Sequence, residues 1–360
     1  MEWLKDTTST YIVSLISYFR AQMSEIVDVL VIGGGPAGLT TALTLARQLH
    51  TVAVFDGKAY RNDAAKYQHM ILTWDHKEPS EYRSKARENI VSQYDTVNIY
   101  DLNIRTVRKC ETGVFEAVDE NNKIWTGRKL VLASGVEDIM PNIGGFRECW
   151  GNGMFVFQLP LTSEDSRLMP QPNSFHCFFC KGYEERGSRS CGILAIDALS
   201  SLPHAMHVGR HALQLSSSVT FYTNGSGDLA KTLKEALINT PQMDSDNRVI
   251  QKVVKGCHGA EVTIHFEDGS EKTESFLGAV PKMRQKAPFA AQLSLDLGPG
   301  GEIITKSPFM QTSMKGVFAA GDCGSAMKTA TNALSTGTAA GAGISAQILA
   351  EKLGHQPLFN

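Results

Sequence analysis

The stretch from Ile26 to Asp56 constrains the fold more than any other part of this 360-residue chain. "IVDVLVI" is a short apolar run rich in β-branched residues, the pattern of a parallel strand buried on both faces. "GGGPAG" follows, then "LTTALTLARQLH" with helical spacing, then "TVAVFD", a second strand. Together they predict one strand–helix–strand unit of about 30 residues. Gly33, Gly35 and Gly38 spell G-x-G-x-x-G between strand and helix, and that context makes a weak motif strong. Gly33 permits the tight turn, Gly35 lets the backbone approach a pyrophosphate, and Gly38 lets helix and strand pack closely. Pro36 and Ala37 open the helix, whose free N–H groups and positive dipole end favour phosphate. Asp56 ends the second strand 18 residues after Gly38. An acid about 20 residues on is placed to bind a ribose hydroxyl. The unit reads as a dinucleotide site.

The rest of the chain is organised around that unit. A helical segment is expected near Glu81–Ser92, then strands at "VNIYDLNI", "VFEAVDE" and "KLVLAS", with "ENNK" as a hairpin turn. Residues 141–173 are rich in Pro, Gly and Ser and read as a crossover. A second strand–helix unit starts at "SCGILAI", runs through a helical stretch to about Leu215, and reaches "SVTFYTNG". Three strand-like pieces follow, "RVIQKVV", "EVTIHFEDGS" and "EKTESFLGAV", and "PKMRQKAP" reads as the return linker. The end of the chain is an apolar strand, "GVFAAGD", and a long helix of small residues.

Composition excludes some functions. A net charge of −2 gives no handle for nucleic acid or an anionic surface. No run reaches the roughly 18 apolar residues of a membrane span. Residues 1–24 read as an N-terminal extension; Glu2, Lys5 and Asp6 do not make the basic leading region of a signal peptide, so a cytoplasmic protein is expected. Seven cysteines, an odd number spread over a long chain, argue against a secreted disulfide framework. Only Cys177 and Cys180 have close redox spacing. A zinc site would need two more ligands at matching spacing, and no second C-x-x-C occurs, so no metal is expected there.

An N-terminal G-x-G-x-x-G combined with "GVFAAGDC", which carries Gly321 and Asp322, resembles the two-part FAD domain of the pyridine-nucleotide disulfide oxidoreductases. "LVLASG", including Ala133, resembles that family's third signature. The resemblance implies an α/β protein of two Rossmann-like (three-layer ββα) domains, the FAD domain discontinuous and the second inserted into it. The expected boundaries are 25–150 with 282–360 for the FAD domain, 151–173 for a crossover loop, and 174–281 for the inserted domain carrying the cysteine pair. A relative that uses NADPH would repeat the glycine motif after the first inserted strand. Here "SCGILAIDALSSLPHAMHVG" has no glycine between Gly192 and Gly209, and "FYTNGSGD" offers no arginine for a 2′-phosphate. The nucleotide site of the inserted domain therefore reads as degenerate.

Low-molecular-weight thioredoxin reductases carry C-x-x-C-D-G at the cysteine pair, but this chain has C-F-F-C-K-G, with Lys181 in place of the acid. "FHCFFCKGYE" resembles fungal thioredoxin-reductase-like dithiol oxidases, which close the disulfide of epipolythiodioxopiperazines such as gliotoxin or aspirochlorine. Arg61, Asn62 and His69 resemble that group's flavin-side loop. The resemblance implies a homodimer that takes electrons from a small-molecule dithiol through Cys177 and Cys180 to FAD and then to molecular oxygen. His176, beside Cys177, is the candidate base, and Lys181 is a second candidate for stabilising a thiolate. Phe178 and Phe179 read equally as an apolar pocket wall or as core. Trp74, Asp75 and His76 are candidates to line the pocket. NADPH-dependent thioredoxin reduction is the alternative.

Overall fold

The computed structural model describes residues 26–63, 65–150, 154–155 and 178–359. The residues expected to form the N-terminal extension, and most of the crossover loop, lie outside them.

The first sheet starts with β1 (Val27–Ile32), followed by helix α1 (Pro36–Ala46) and β2 (Val52–Phe55). Helix α2 (Pro79–Gln93) leads to β3 (Val97–Tyr100), β4 (Ile104–Lys109), β5 (Phe115–Asp119) and the nine-residue β6 (Ile124–Leu132). Strands β3, β2, β1 and β6 pair in parallel in that order. The first half of β6 pairs antiparallel with β5, and its end pairs in parallel with a strand from the far end of the chain. Alternation along β1 sorts the core. Val29 and Val31 face α1 and the C-terminal helix, among Leu45, Ile344 and Ile348. Leu30 and Ile32 face the antiparallel strands, among Phe115, Ala117 and Trp125. The domain is thus three layers, helix, parallel sheet and antiparallel sheet, as the period-2 pattern requires.

Strand β7 (Val136–Ile139) leaves this domain, and β8 (Met154–Phe155) begins the second sheet. It continues with β9 (Cys191–Leu194), helix α3 (Leu202–Ala212), β10 (Val219–Tyr222), helix α4 (Gly227–Ala236) and β11 (Met243–Asp246). Strands β12 (Ile250–Lys255), β13 (Val262–Phe266) and β14 (Glu271–Glu274) form an antiparallel meander, and β15 (Leu277–Gly278) returns to the parallel sheet. The parallel order is β11, β10, β9, β15, β8. The layering of the first domain is repeated: one core lies under α3 and α4, another between the sheet and the meander.

The "PKMRQKAP" segment, expected as a linker, contains β16 (Lys282–Gln285), which pairs antiparallel with β7. The two crossings between domains are thereby stitched to each other. Strand β17 (Val317–Ala319) closes the first sheet against β6, and helix α5 (Ala330–Leu353) packs along α1. Among the described residues, no helix is long and apolar enough to cross a membrane.

Candidate functional site

The glycine turn shows three different uses of a missing side chain. Gly33 has φ +123°, and a Cβ there would lie 2.1 Å from the carbonyl oxygen of Ala133. A Cβ on Gly38 would lie 1.9 Å from the carbonyl oxygen of Gly33, so α1 sits directly on the turn. Around Gly35 a Cβ would meet nothing within 4 Å. That backbone is the open one, and no side chain caps α1. Pro36 occupies the first helical turn, where a missing N–H costs no helical bond. Gly33 to Ala37 form one wall of a cavity of about 540 Å³.

Asp56 lies on the floor of that cavity with its side chain packed under Gly34. Its carboxylate accepts from the Lys58 backbone N–H at 3.0 Å, the Tyr60 hydroxyl at 2.6 Å and Arg87 Nη1 at 2.5 Å. Burial, then the bond to Asp56, pushes the Tyr60 phenol well above its ordinary range. Tyr60 and Arg87 were not singled out in the sequence; only the fold brings them to the acid.

Asp322 sits on the 3-10 turn Gly321–Gly324 that follows β17, and Gly321 adopts φ +76° there. The Gly321 N–H donates to Thr336 Oγ1 at 2.9 Å, which fixes the turn to α5. Arg61 reaches Asp322 Oδ2 through Nη1 at 3.2 Å and holds Asp138 through Nε at 3.0 Å and Nη2 at 2.6 Å. Burial alone would lower the Arg61 pKa, but the two carboxylates outweigh it and raise it. Removing one member of such a buried pair leaves an uncompensated charge, typically worth about 3–5 kcal/mol. Asn62 accepts from Arg83 Nη1 at 3.0 Å, and Arg83 also stacks on Tyr60. Asn62 and Ala133 both line the cavity.

Two lysines add positive charge to the wall. Lys328 is buried and donates to the carbonyl oxygens of Asp322 at 2.9 Å and Ser325 at 2.6 Å. Burial lowers its pKa and that of Lys286, which donates to the Ala59 carbonyl. Gln68 is a further residue the sequence did not reveal. It is buried, it lines the cavity, and neither its Oε1 nor its Nε2 has a partner among the described residues. A buried amide without partners costs about 1–3 kcal/mol unless a ligand completes it. His69 lines the same wall. Trp74, Asp75 and His76 follow it in a loop outside the cavity lining; Trp74 packs edge-to-face on Tyr82.

His176 and Cys177 lie outside the described residues. Cys180 and Lys181 belong to the helical turn Phe178–Lys181, with their side chains outside the description. Phe178 is core: it is 5% exposed and meets Phe276 edge-to-face at 5.8 Å. Phe179 is exposed and lies 5.5 Å from the His211 ring.

In the inserted domain, the crossover after β9 is Ala195, Ile196, the 3-10 turn Asp197–Leu199, and Ser200 and Ser201 before α3. Ala198 and Leu199 are buried there, and Asp197 has φ +49°. Arg248, which follows β11, is held by Asp246 and donates to Ser270 Oγ at 2.7 Å.

A discontinuous first domain, with a glycine turn at one end and Gly321–Asp322 at the other, enclosing a second domain of like build, defines the two-domain dinucleotide-binding oxidoreductases. The profile of one such family, pyridine nucleotide-disulphide oxidoreductase, matches residues 27–162. Thioredoxin reductase tcpT of Claviceps purpurea (strain 20.1) is 42% identical over 93% of this chain and 98% of its own. Thioredoxin reductase aclD of Aspergillus oryzae (strain ATCC 42149 / RIB 40) is 38% identical over 89% of this chain and 96% of its own. The crystal structure of the putative thioredoxin reductase TrxB from Bacillus anthracis superposes with a TM-score of 0.77 at 25% identity, covering 91% of this chain and 99% of that one. The chain belongs to the pyridine nucleotide-disulphide oxidoreductase family, among its thioredoxin-reductase-like members. It is an oxidoreductase, and FAD is its cofactor. The cavity suits that group: open backbone at Gly35 for a pyrophosphate, acids at both ends for sugar hydroxyls, and the unpartnered Gln68 amide for a ring edge that both donates and accepts.

Proposed function

We propose that this chain is an FAD-dependent dithiol oxidase. It closes two thiols of a small molecule into an intramolecular disulfide, with molecular oxygen as final acceptor and hydrogen peroxide as product. The crossover after β9 carries the reading. Where a nicotinamide-binding domain has a glycine turn running straight into a helix, buried Ala198 and Leu199 and the Asp197 turn stand in the way. Arg248 is committed to Asp246, and the stretch after β10, Thr223 to Asp228, offers no arginine for a 2′-phosphate. Electrons then have to enter from the thiol side.

In this mechanism a substrate thiolate attacks Cys177 of the oxidised pair, forming a mixed disulfide and releasing Cys180 as thiolate. The second substrate thiolate attacks the substrate sulfur of that bond, closing the product and releasing Cys177. Two electrons have moved from substrate to the pair, and the two substrate thiol protons have gone to base and solvent. His176 takes the thiol proton, because only a thiolate attacks well and an ordinary thiol has a pKa of about 8.5. When bound, FAD would supply the two-electron acceptor for the reduced pair, with oxygen as the final acceptor. The lysine that stands in place of the thioredoxin-reductase acid, Lys181, supports a substrate other than thioredoxin. The homodimer and the cytoplasmic location are part of the same proposal.

The names of the relatives favour a second reading, NADPH-dependent thioredoxin reduction. Anaerobic stopped flow on the oxidised enzyme separates the two. A small dithiol should bleach the flavin absorbance and, in air, consume one oxygen per disulfide formed. Bleaching by NADPH within seconds would establish the second reading instead.

A further inference from the structure

Residues 68–77 form a tightly pinned loop beside the cavity. The Gln68 N–H donates to the Lys77 carbonyl at 2.8 Å, and the His76 N–H donates back to the Gln68 carbonyl at 3.1 Å. Met70, Thr73 and His76 all adopt positive φ, at +66°, +68° and +57°. Asp75 accepts from the Met70 N–H at 2.9 Å. The result sets the His69 and His76 rings edge-to-face, 4.6 Å apart. Glu184 approaches them from the other domain, on the 3-10 turn Tyr183–Glu185 just past the cysteine pair.

The polarity of this cluster is one-sided. Asp75 lies 3.3 Å from His69 Nδ1 and 3.2 Å from His76 Nε2. These are ion-pair distances, and a carboxylate placed there favours the tautomers that carry hydrogen on those two nitrogens. The opposite ring nitrogens are then lone pairs. His69 Nε2 lies 3.9 Å and His76 Nδ1 4.0 Å from Glu184 Oε1. His69, His76 and Glu184 thus bring three ligand atoms within 4.8 Å of one another. A cation resolves that arrangement. Zinc bonds of about 2.0–2.1 Å put tetrahedral ligands about 3.4 Å apart, so closing on the ion takes about half an ångström for each histidine–glutamate pair and up to about 1.4 Å for the widest pair. Two imidazoles, one carboxylate and an exposed side for water make a zinc-like donor set. Asp75 behind both rings is the carboxylate–histidine–metal arrangement that orients such ligands.

We propose that His69, His76 and Glu184 form a divalent transition-metal site of the zinc class, oriented by Asp75, that ties the 68–77 loop of the FAD domain to the inserted domain. His76 is 61% and Glu184 44% exposed in the side chain, so an ion enters without opening the core. Bound there, it fixes the orientation of the inserted domain against the FAD domain. The proposal stands independently of which electron donor the enzyme uses.

The test is zinc binding to the FAD-loaded full chain. Because reduced cysteines also bind zinc, a Cys177→Ser/Cys180→Ser variant is measured beside the parent. One zinc per chain should survive dialysis in both and raise the unfolding temperature. His76→Ala and Glu184→Gln should each lose it while keeping their flavin spectrum. Asp75→Asn should weaken binding at least about tenfold. No retained zinc in the parent, retention unchanged in both His76→Ala and Glu184→Gln, or loss in the cysteine variant would overturn the assignment. Two ligand variants are used so that one misfolded protein does not decide the matter.

Discussion

Gln68 is the residue whose situation in the fold says most about the cofactor. Its amide is buried against the cavity with both polar atoms unpartnered among the described residues. Gln68→Leu should lower FAD affinity about tenfold, the equivalent of about one hydrogen bond, while leaving the apoprotein at least as stable. Fluorescence titration of apoprotein with FAD, together with thermal unfolding of the apo form, measures both effects; unchanged affinity would remove Gln68 from the site. Cys323 gives a pH-dependent case. Its thiol donates to the carbonyls of Leu132 at 3.1 Å and Ala320 at 3.3 Å, and burial pushes its pKa up to about 11. A thiol whose folded pKa lies above its unfolded one adds stability that is complete below the unfolded value. That stability is lost as pH rises from the ordinary thiol range through about 11. Between those values the parent should lose up to about 3 kcal/mol more than Cys323→Ala, which has no thiol to ionise. Urea unfolding of both proteins across that range checks it, and parallel losses would contradict it.

At the scale of elements, the contact of α1 with α5 holds the glycine turn in place. A Cβ on Gly337 would lie 2.4 Å from the Ala37 carbonyl oxygen, and one on Gly341 would lie 2.8 Å from Thr44 Cβ. Thr41 Oγ1 donates to the Ala37 carbonyl at 2.9 Å and the Gly337 carbonyl at 3.1 Å. The small residues of the last helix, legible as a composition, are the reason two backbones touch behind the dinucleotide turn. Gly337→Val should push α5 away at a cost of about 2 kcal/mol, lower the unfolding temperature by about 5 °C, and reduce bound FAD. Calorimetry and the flavin-to-protein absorbance ratio are the measurements. Other elements were less legible. The strand "MDSD" of β11 was not among the expected strands; Met243 and Ser245 face inward there because a neighbouring parallel strand supplies their pairing. Helix α4 opens on Gly227 within "TNGSGD", so turn residues masked its start.

For the whole molecule, the division into two similar domains sets where electrons can enter. On the proposed path they arrive through the cysteine pair, so Cys180→Ser should retain FAD but lose reduction by a small dithiol by at least a hundredfold. Anaerobic stopped flow on that variant is the check; normal reduction would place the electron path elsewhere. The same layout gives the pairing of β7 with β16 its meaning, because both crossings between the domains run through one two-stranded ribbon.

The dinucleotide turn was determined by the sequence alone. Its requirements are local: a strand, three glycines at fixed offsets, a proline at the helix start and an acid at the end of the next strand all lie within residues 26–56. The terminal Gly321–Asp322 turn was equally legible, being one strand end with one backbone requirement. Only the tertiary structure decided what surrounds them. Arg61 meets Asp322 across 261 positions, and Lys129 meets Glu351 across 222. No spacing rule announces such pairs. Likewise Gln68, and Glu184 facing His69 and His76, are ordinary polar residues until chain closure buries the first and brings the others together. Backbone geometry is written in neighbouring residues, whereas charge pairing and desolvation depend on which distant segments the fold sets side by side.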